Sequence, residues 1–124
     1  MNKLLALLAI ASVFLLGASA AAVTLVVTPS EIHVGDSVEF AGCGYGAGKD
    51  ILLIVEPPEG YDWGFQTRMD ADGCFDTATN DIIPPFVPTV AGEHEAYVYP
   101  STGSGVGTYG HHKALVEYDF EVLG

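Results

Sequence analysis

The chain has 124 residues, 49% of them hydrophobic, and sixteen acidic residues stand against four basic ones for a formal net charge of −12. That balance makes nucleic acid and anionic membrane surfaces poor partners, since both repel an acidic protein. The length suits one domain with one core, and two cysteines permit a single disulfide.

Lys3, the apolar run Leu4 to Leu16 and the Ala18-Ser19-Ala20 triplet have the charge, length and small-residue pattern of a secretory signal peptide. The apolar run is shorter than the roughly 20 residues a spanning helix needs. The expected organisation is therefore a leader over 1–20 and one domain over 21–124, exported to the cell surface or beyond, with no membrane insertion after cleavage. Export makes pairing the ordinary state of Cys43 and Cys74. Only Lys49, Arg68 and Lys113 then offset the acidic residues.

Beyond the leader, strand signals alternate with Gly, Pro and Asp, and helical periodicity is absent. Val23, Thr24, Leu25, Val26 and Val27 read as a first strand, apolar on both faces and stopped by Pro29. Glu31 to Val34 continues on the other sheet, and Ser37 to Ala41 follows with Val38 and Phe40 on one face. A glycine-rich turn from Gly42 to Asp50 carries Cys43. Ile51 to Val55 is apolar on both faces, as a central strand is, and Pro57-Pro58 ends it.

Trp63 to Met69 is expected to pair with Cys74 to Thr79 across an Asp70 to Gly73 hairpin, Asp-Gly being a favoured hairpin dipeptide. A crossover with Pro84, Pro85 and Pro88 leads to a strand at His94 to Tyr99. Ala96 and Val98 take its inward face, while Tyr97 and Tyr99 share the other with Glu93 and Glu95. After a glycine-containing stretch from Pro100 to Gly110, Lys113 to Val122 alternates: Ala114, Val116, Tyr118, Phe120 and Val122 on one face, charges on the other. Seven or eight short strands in a domain this size point to an all-β Greek-key sandwich.

Several turns, in order, carry a resemblance. Val34-Gly35-Asp36-Ser37-Val38, Gly42-Cys43-Gly44-Tyr45-Gly46-Ala47-Gly48, Asp70-Ala71-Asp72-Gly73-Cys74-Phe75, Ala91-Gly92-Glu93-His94 and Tyr118-Asp119-Phe120-Glu121-Val122 resemble the landmark turns and last strand of prokaryotic extracellular immunoglobulin-like modules. The similarity runs from Val23 to Val122 and implies an immunoglobulin-like β-sandwich. Cysteines stand where such modules carry small residues. They also lie at turn edges, unlike the core disulfide beside a buried tryptophan of antibody domains.

Candidate sites follow from residue type and spacing. Asp70, Asp72 and Asp76 begin like a calcium loop, but the bidentate acid of that pattern is missing, so turn chemistry is the first reading and calcium the alternative. No other cofactor is expected. His111-His112 point to opposite faces if extended, which does not suit one metal ion. The glycine turn lacks the residues of a phosphate loop. Tyr61, Trp63, Tyr97 and Tyr99 are the candidate ligand-binding aromatics, with core packing the competing role for Trp63.

Pro57-Pro58-Glu59-Gly60-Tyr61-Asp62-Trp63 is similar to one loop of the chagasin-type protease inhibitors, whose two other loops have no counterpart here. No nucleophile elbow, triad or metalloprotease motif is present, so no enzyme is expected. The expected function is an exported structural or interaction protein that associates with itself in a filament, sheath or surface layer, Val23 to Val27 being the candidate exchanging strand. The alternative is a soluble module binding a glycan, a small molecule or another extracellular protein such as a protease.

Overall fold

The computed structural model describes residues 22–101 and 113–124. The leader at 1–20, most of the Pro100 to Gly110 stretch and the His111-His112 pair lie outside the described residues. In chain order the strands are β1 (Val26–Thr28), β2 (Ile32–His33), β3 (Glu39–Gly42), β4 (Asp50–Glu56), β5 (Trp63–Arg68), β6 (Phe75–Asp76), β7 (Gly92–Pro100) and β8 (Val116–Leu123). A 3-10 turn, Thr77–Thr79, follows β6.

These strands form two sheets, β1-β3-β6 and β2-β8-β7-β4-β5. All pairings are antiparallel except β2 with β8. The five-stranded sheet centres on β4, which pairs with β5 on one side and β7 on the other and is buried from Ile51 through Val55. An uninterrupted apolar strand is stable only where both of its faces are covered, which explains its central place.

Its odd-numbered residues, Ile51, Leu53 and Val55, join Ala96, Val98, Phe120 and Val122 in a core that Val38, Phe40 and Phe75 complete from the other side. Phe40 anchors the aromatic part, with ring centroids 5.9 Å from Trp63, 6.4 Å from Phe86 and 6.2 Å from Phe120.

Two expectations need correction. The first strand begins at Val26, although Val23 and Leu25 still pack against the core. Ahead of it, the Thr24 N–H donates to the Cys43 carbonyl and the Cys43 N–H donates to Thr24 Oγ1, each at 3.0 Å. Second, β5 and β6 do not form a hairpin: β5 pairs along its length with β4, and β6 pairs with β3 in the other sheet.

The Asp70 turn closes on itself instead. Its Oδ1 accepts from the N–H groups of Asp72 (2.8 Å) and Cys74 (3.0 Å), while the Asp70 N–H donates to the Cys74 carbonyl at 2.9 Å. Such an aspartate-capped turn satisfies the local backbone without a hairpin ladder. The chain is thereby free to step from one sheet to the other.

The Cys43–Cys74 disulfide continues the β3–β6 ladder, taking the next opposed pair after Ala41 with Asp76 and Gly42 with Phe75. The two cysteine-bearing turns touch. The Tyr45 N–H donates to the Gly73 carbonyl at 3.2 Å, and a Cβ on Gly73 (φ +77°) would lie 3.0 Å from the Gly46 nitrogen. Only glycine fits that approach and that backbone conformation together.

Candidate functional site

Side chains alternate across a strand, so the residues between the core positions of β4, β5, β7 and β8 share the outer face of the five-stranded sheet. The register places them in rows. Arg68 lies beside Asp50; Gln66, Leu52 and Tyr99 form the next row; Gly64, Ile54, Tyr97 and Glu117 form the third. Glu56, Glu95 and Asp119 make a fourth row, and Glu93 with Glu121 a fifth.

The rows differ in chemistry. In the first, Arg68 Nε donates to Asp50 Oδ1 at 3.0 Å, and this bond holds the Asp50 carboxyl below its ordinary pKa. In the middle rows Leu52 and Ile54 are each 1% exposed although they point away from the main core. Gly64 makes room for Ile54: a Cβ there would stand 2.5 Å from Ile54 Cδ1. Tyr97 and Tyr99, both half-buried, stack at 5.9 Å with 28° between their planes.

The last two rows contain only carboxylates, directly opposed across neighbouring strands, an arrangement that repels. Burial first, then Asp62 and Glu95, push the Glu56 carboxyl above its ordinary pKa. The Tyr97 hydroxyl donates to Glu95 Oε2, and that bond is the chief reason the phenol is held neutral well above its usual range. Tyr99 is raised by burial, then by Glu56, Glu117 and Asp62.

Among the described residues the same sheet is unpaired along one edge and only partly covered at the other. Met69 N–H donates to the Lys49 carbonyl at 2.7 Å, so by strand alternation the N–H groups of Gly64 and Gln66 point away from β4. Among the described residues no strand pairs with that side of β5. At the opposite edge β2 covers only Val122 and Leu123 of β8. On that side, away from β7, no strand pairs with the stretch around Glu117 and Asp119 among the described residues.

The four candidate aromatics fall in different places. Tyr97 and Tyr99 are on the outer face. Trp63 turns inward against Phe40, Phe65 and Phe86, while Tyr61 is 98% exposed in the loop before β5. Tyr61 and Trp63 do share the wall of a cleft of about 330 Å³ that also includes Pro57, Pro85 and His94. His94 is fully buried: its Nδ1 lies 3.0 Å from the Gly92 carbonyl, and its Nε2 has no hydrogen-bond partner among the described residues.

Val23 to Val27 lies along β3 of its own chain, with Val26 opposite Ala41 and Val27 opposite Phe40. Two of the three carboxylates of the calcium alternative bond the backbone. Asp70 closes its turn, and Asp76 Oδ1 accepts from the Ala78 N–H at 2.9 Å as the cap of the 3-10 turn. Among the described residues no three His, Cys, Asp or Glu side chains are grouped to hold a metal ion.

The opposed acidic rows are absent from the sequence reading. Glu93 and Glu95 beside Tyr97 are visible as an alternating face, but their meeting with Asp119 and Glu121 depends on the β7–β8 register. No protein-family model, curated protein or solved structure matches the chain.

Proposed function

We propose that this chain is an exported, non-enzymatic β-sandwich of the Greek-key, immunoglobulin-like kind. In this reading it acts as an extracellular structural subunit that associates with copies of itself by strand addition. The observation that carries the proposal is that, among the described residues, the five-stranded sheet has no strand on the outer side of β5 and only the two-residue β2 on the outer side of β8. Unpaired strand edges are templates for another chain, and natural domains usually cover or charge them. The disulfide is in keeping with an oxidising compartment.

The two edges are unlike and complementary. β5 contains no carboxylate, whereas the β8 edge bears Glu117, Asp119 and Glu121. An edge-to-edge contact between β5 of one copy and β8 of the next is heterologous, and repetition of such a contact builds a filament. Beside β5, Asn80 Nδ2 donates to Thr67 Oγ1 at 3.5 Å, and nearby Ile82 is 90% exposed, offering apolar area to an incoming strand. Overall charge opposes the contact, so added salt should promote it.

Sedimentation and electron microscopy across a salt series test the proposal. Growth of filaments with salt is expected, and Gln66→Pro should stop it while leaving the fold intact, because the Gln66 N–H makes no bond within its own sheet. A strict monomer at high concentration and high salt overturns the reading. So does unchanged assembly by Gln66→Pro.

The cleft beside Tyr61 supports a second reading, a binding module for a glycan or another small ligand. Its exposed tyrosine offers a stacking face, and binding that is lost in Tyr61→Ala would favour this role over self-assembly.

A further inference from the structure

We propose that the outer face of the five-stranded sheet is a docking surface for a basic, extended polypeptide segment. This face runs across the strands and shares Asp119 and Glu121 with the β8 edge; its peptide test does not depend on whether copies associate. Its centre is apolar and aromatic, and one end is entirely acidic. Glu56, Glu95 and Asp119 stand in one row and Glu93 and Glu121 in the next, each carboxylate opposite another of like charge.

The chain supplies little to neutralise these rows. Arg68 belongs to the far row, where it bonds Asp50. Lys49 lies in the turn before β4, its Cγ 3.0 Å from the position a Gly46 Cβ would take. Among the described residues none of the named acidic rows contains a cation.

Charge and spacing select the occupant. A second copy would bring the same acidic face, and a nucleic acid would also repel it. Among the described residues no three of these carboxylates are grouped to hold one metal ion, and same-face positions along a strand repeat about every 6.5–7 Å. An extended polypeptide has that same two-residue repeat. Alternate Lys or Arg side chains on such a segment would meet Glu93, Glu95 and the Tyr97–Tyr99 pair in turn.

The aromatic centre adds a contact that scattered acids lack. Stacked tyrosines present ring faces to a cation and an apolar surface to the methylene stems of Lys and Arg. The hydrogen bond from Tyr97 to Glu95 fixes the first ring beside the acidic rows. Between those rows, Glu93, Asp119 and Glu121 line a depression of about 230 Å³, large enough to seat a cationic head group.

A fluorescent alternating Lys-Thr peptide, titrated into the full chain at about 150 mM salt, tests the proposal against a Glu-Thr peptide of equal length. Binding of the first alone is expected. Glu56→Gln/Glu95→Gln/Asp119→Asn should weaken it about tenfold or more, corresponding to loss of about 1.4 kcal/mol or more. The off-face control Glu31→Gln/Asp72→Asn/Asp81→Asn, which changes net charge equally, should weaken it less than about threefold.

Tyr99→Leu should lower affinity while preserving the salt dependence. Equal loss in both triple variants would reduce the effect to net charge and overturn the docking surface. So would absence of binding by the wild-type chain, or full affinity in Tyr99→Leu. Thermal melts of each variant separate lost binding from lost folding.

Discussion

The inner and outer faces of the five-stranded sheet use the same strands for opposite ends. On β4, Leu53 and Leu52 are adjacent and almost equally buried, at 0% and 1% exposure. Leu53 is enclosed by a second sheet, so its surroundings are fixed by packing from both sides. Among the described residues no second sheet lies above Leu52; its cross-strand neighbours are Tyr99 and Gln66, side chains with access to water. Equal burial therefore does not mean equal rigidity, and the outer face retains both apolar area and unneutralised charge.

The largest expected effect tests that contrast. Leu53→Ala should destabilise by about 4 kcal/mol, and Leu52→Ala by about 2 kcal/mol, because side chains open to water can settle into the space left behind. Urea unfolding of both variants measures the gap. Equal losses would show that the outer cluster is as rigid as the core.

Replacing Cys43 and Cys74 together by serine should cost about 3 to 4 kcal/mol, the chain-entropy value for closing a loop of this size. The disulfide belongs to the other sheet, so the Leu53 and Leu52 losses should keep their difference in that background. Gly64→Ala should cost roughly 1–3 kcal/mol, since the new Cβ meets Ile54 Cδ1 and, at 2.8 Å, the Leu53 carbonyl, which is backbone and cannot swing aside.

The smallest effect is electrostatic. The raised pKa of Glu56 means that the native state holds this proton more tightly than the unfolded chain does. Its contribution is best at low pH and declines as pH rises from the ordinary carboxylate range through the raised native value. Glu56→Gln should therefore stabilise the fold by about 0.5 kcal/mol at neutral pH in low salt, with the gain vanishing near pH 4. Asp50 works in the opposite sense: its Arg68-linked contribution is present above the ordinary pKa and lost as pH falls through the lowered one. Urea midpoints at several pH values separate the two.

Much of the strand content can be read directly from residue order. Ile51 to Val55 is apolar at every position and becomes the central strand; Ala96 and Val98 face inward while Tyr97 and Tyr99 face out. The Asp70 to Gly73 segment is legible as a turn but not as a step between sheets. Asp-Gly chemistry suits both, and the difference lies in whether Phe75 finds a partner in Trp63 to Met69 or, as observed, in Gly42.

Composition and local pattern determined that this chain is all-β, acidic and equipped with one disulfide, because strand alternation, turn residues and cysteine count are short-range properties. Pairing is a long-range property, and only the tertiary structure decided it. It separated β5 from β6, opposed Glu56 to Glu95 and Glu95 to Asp119, and, among the described residues, left β5 with an unpaired side. The physical reason is that many registers satisfy the same alternation, and the contacts that choose among them come from residues far apart in the chain.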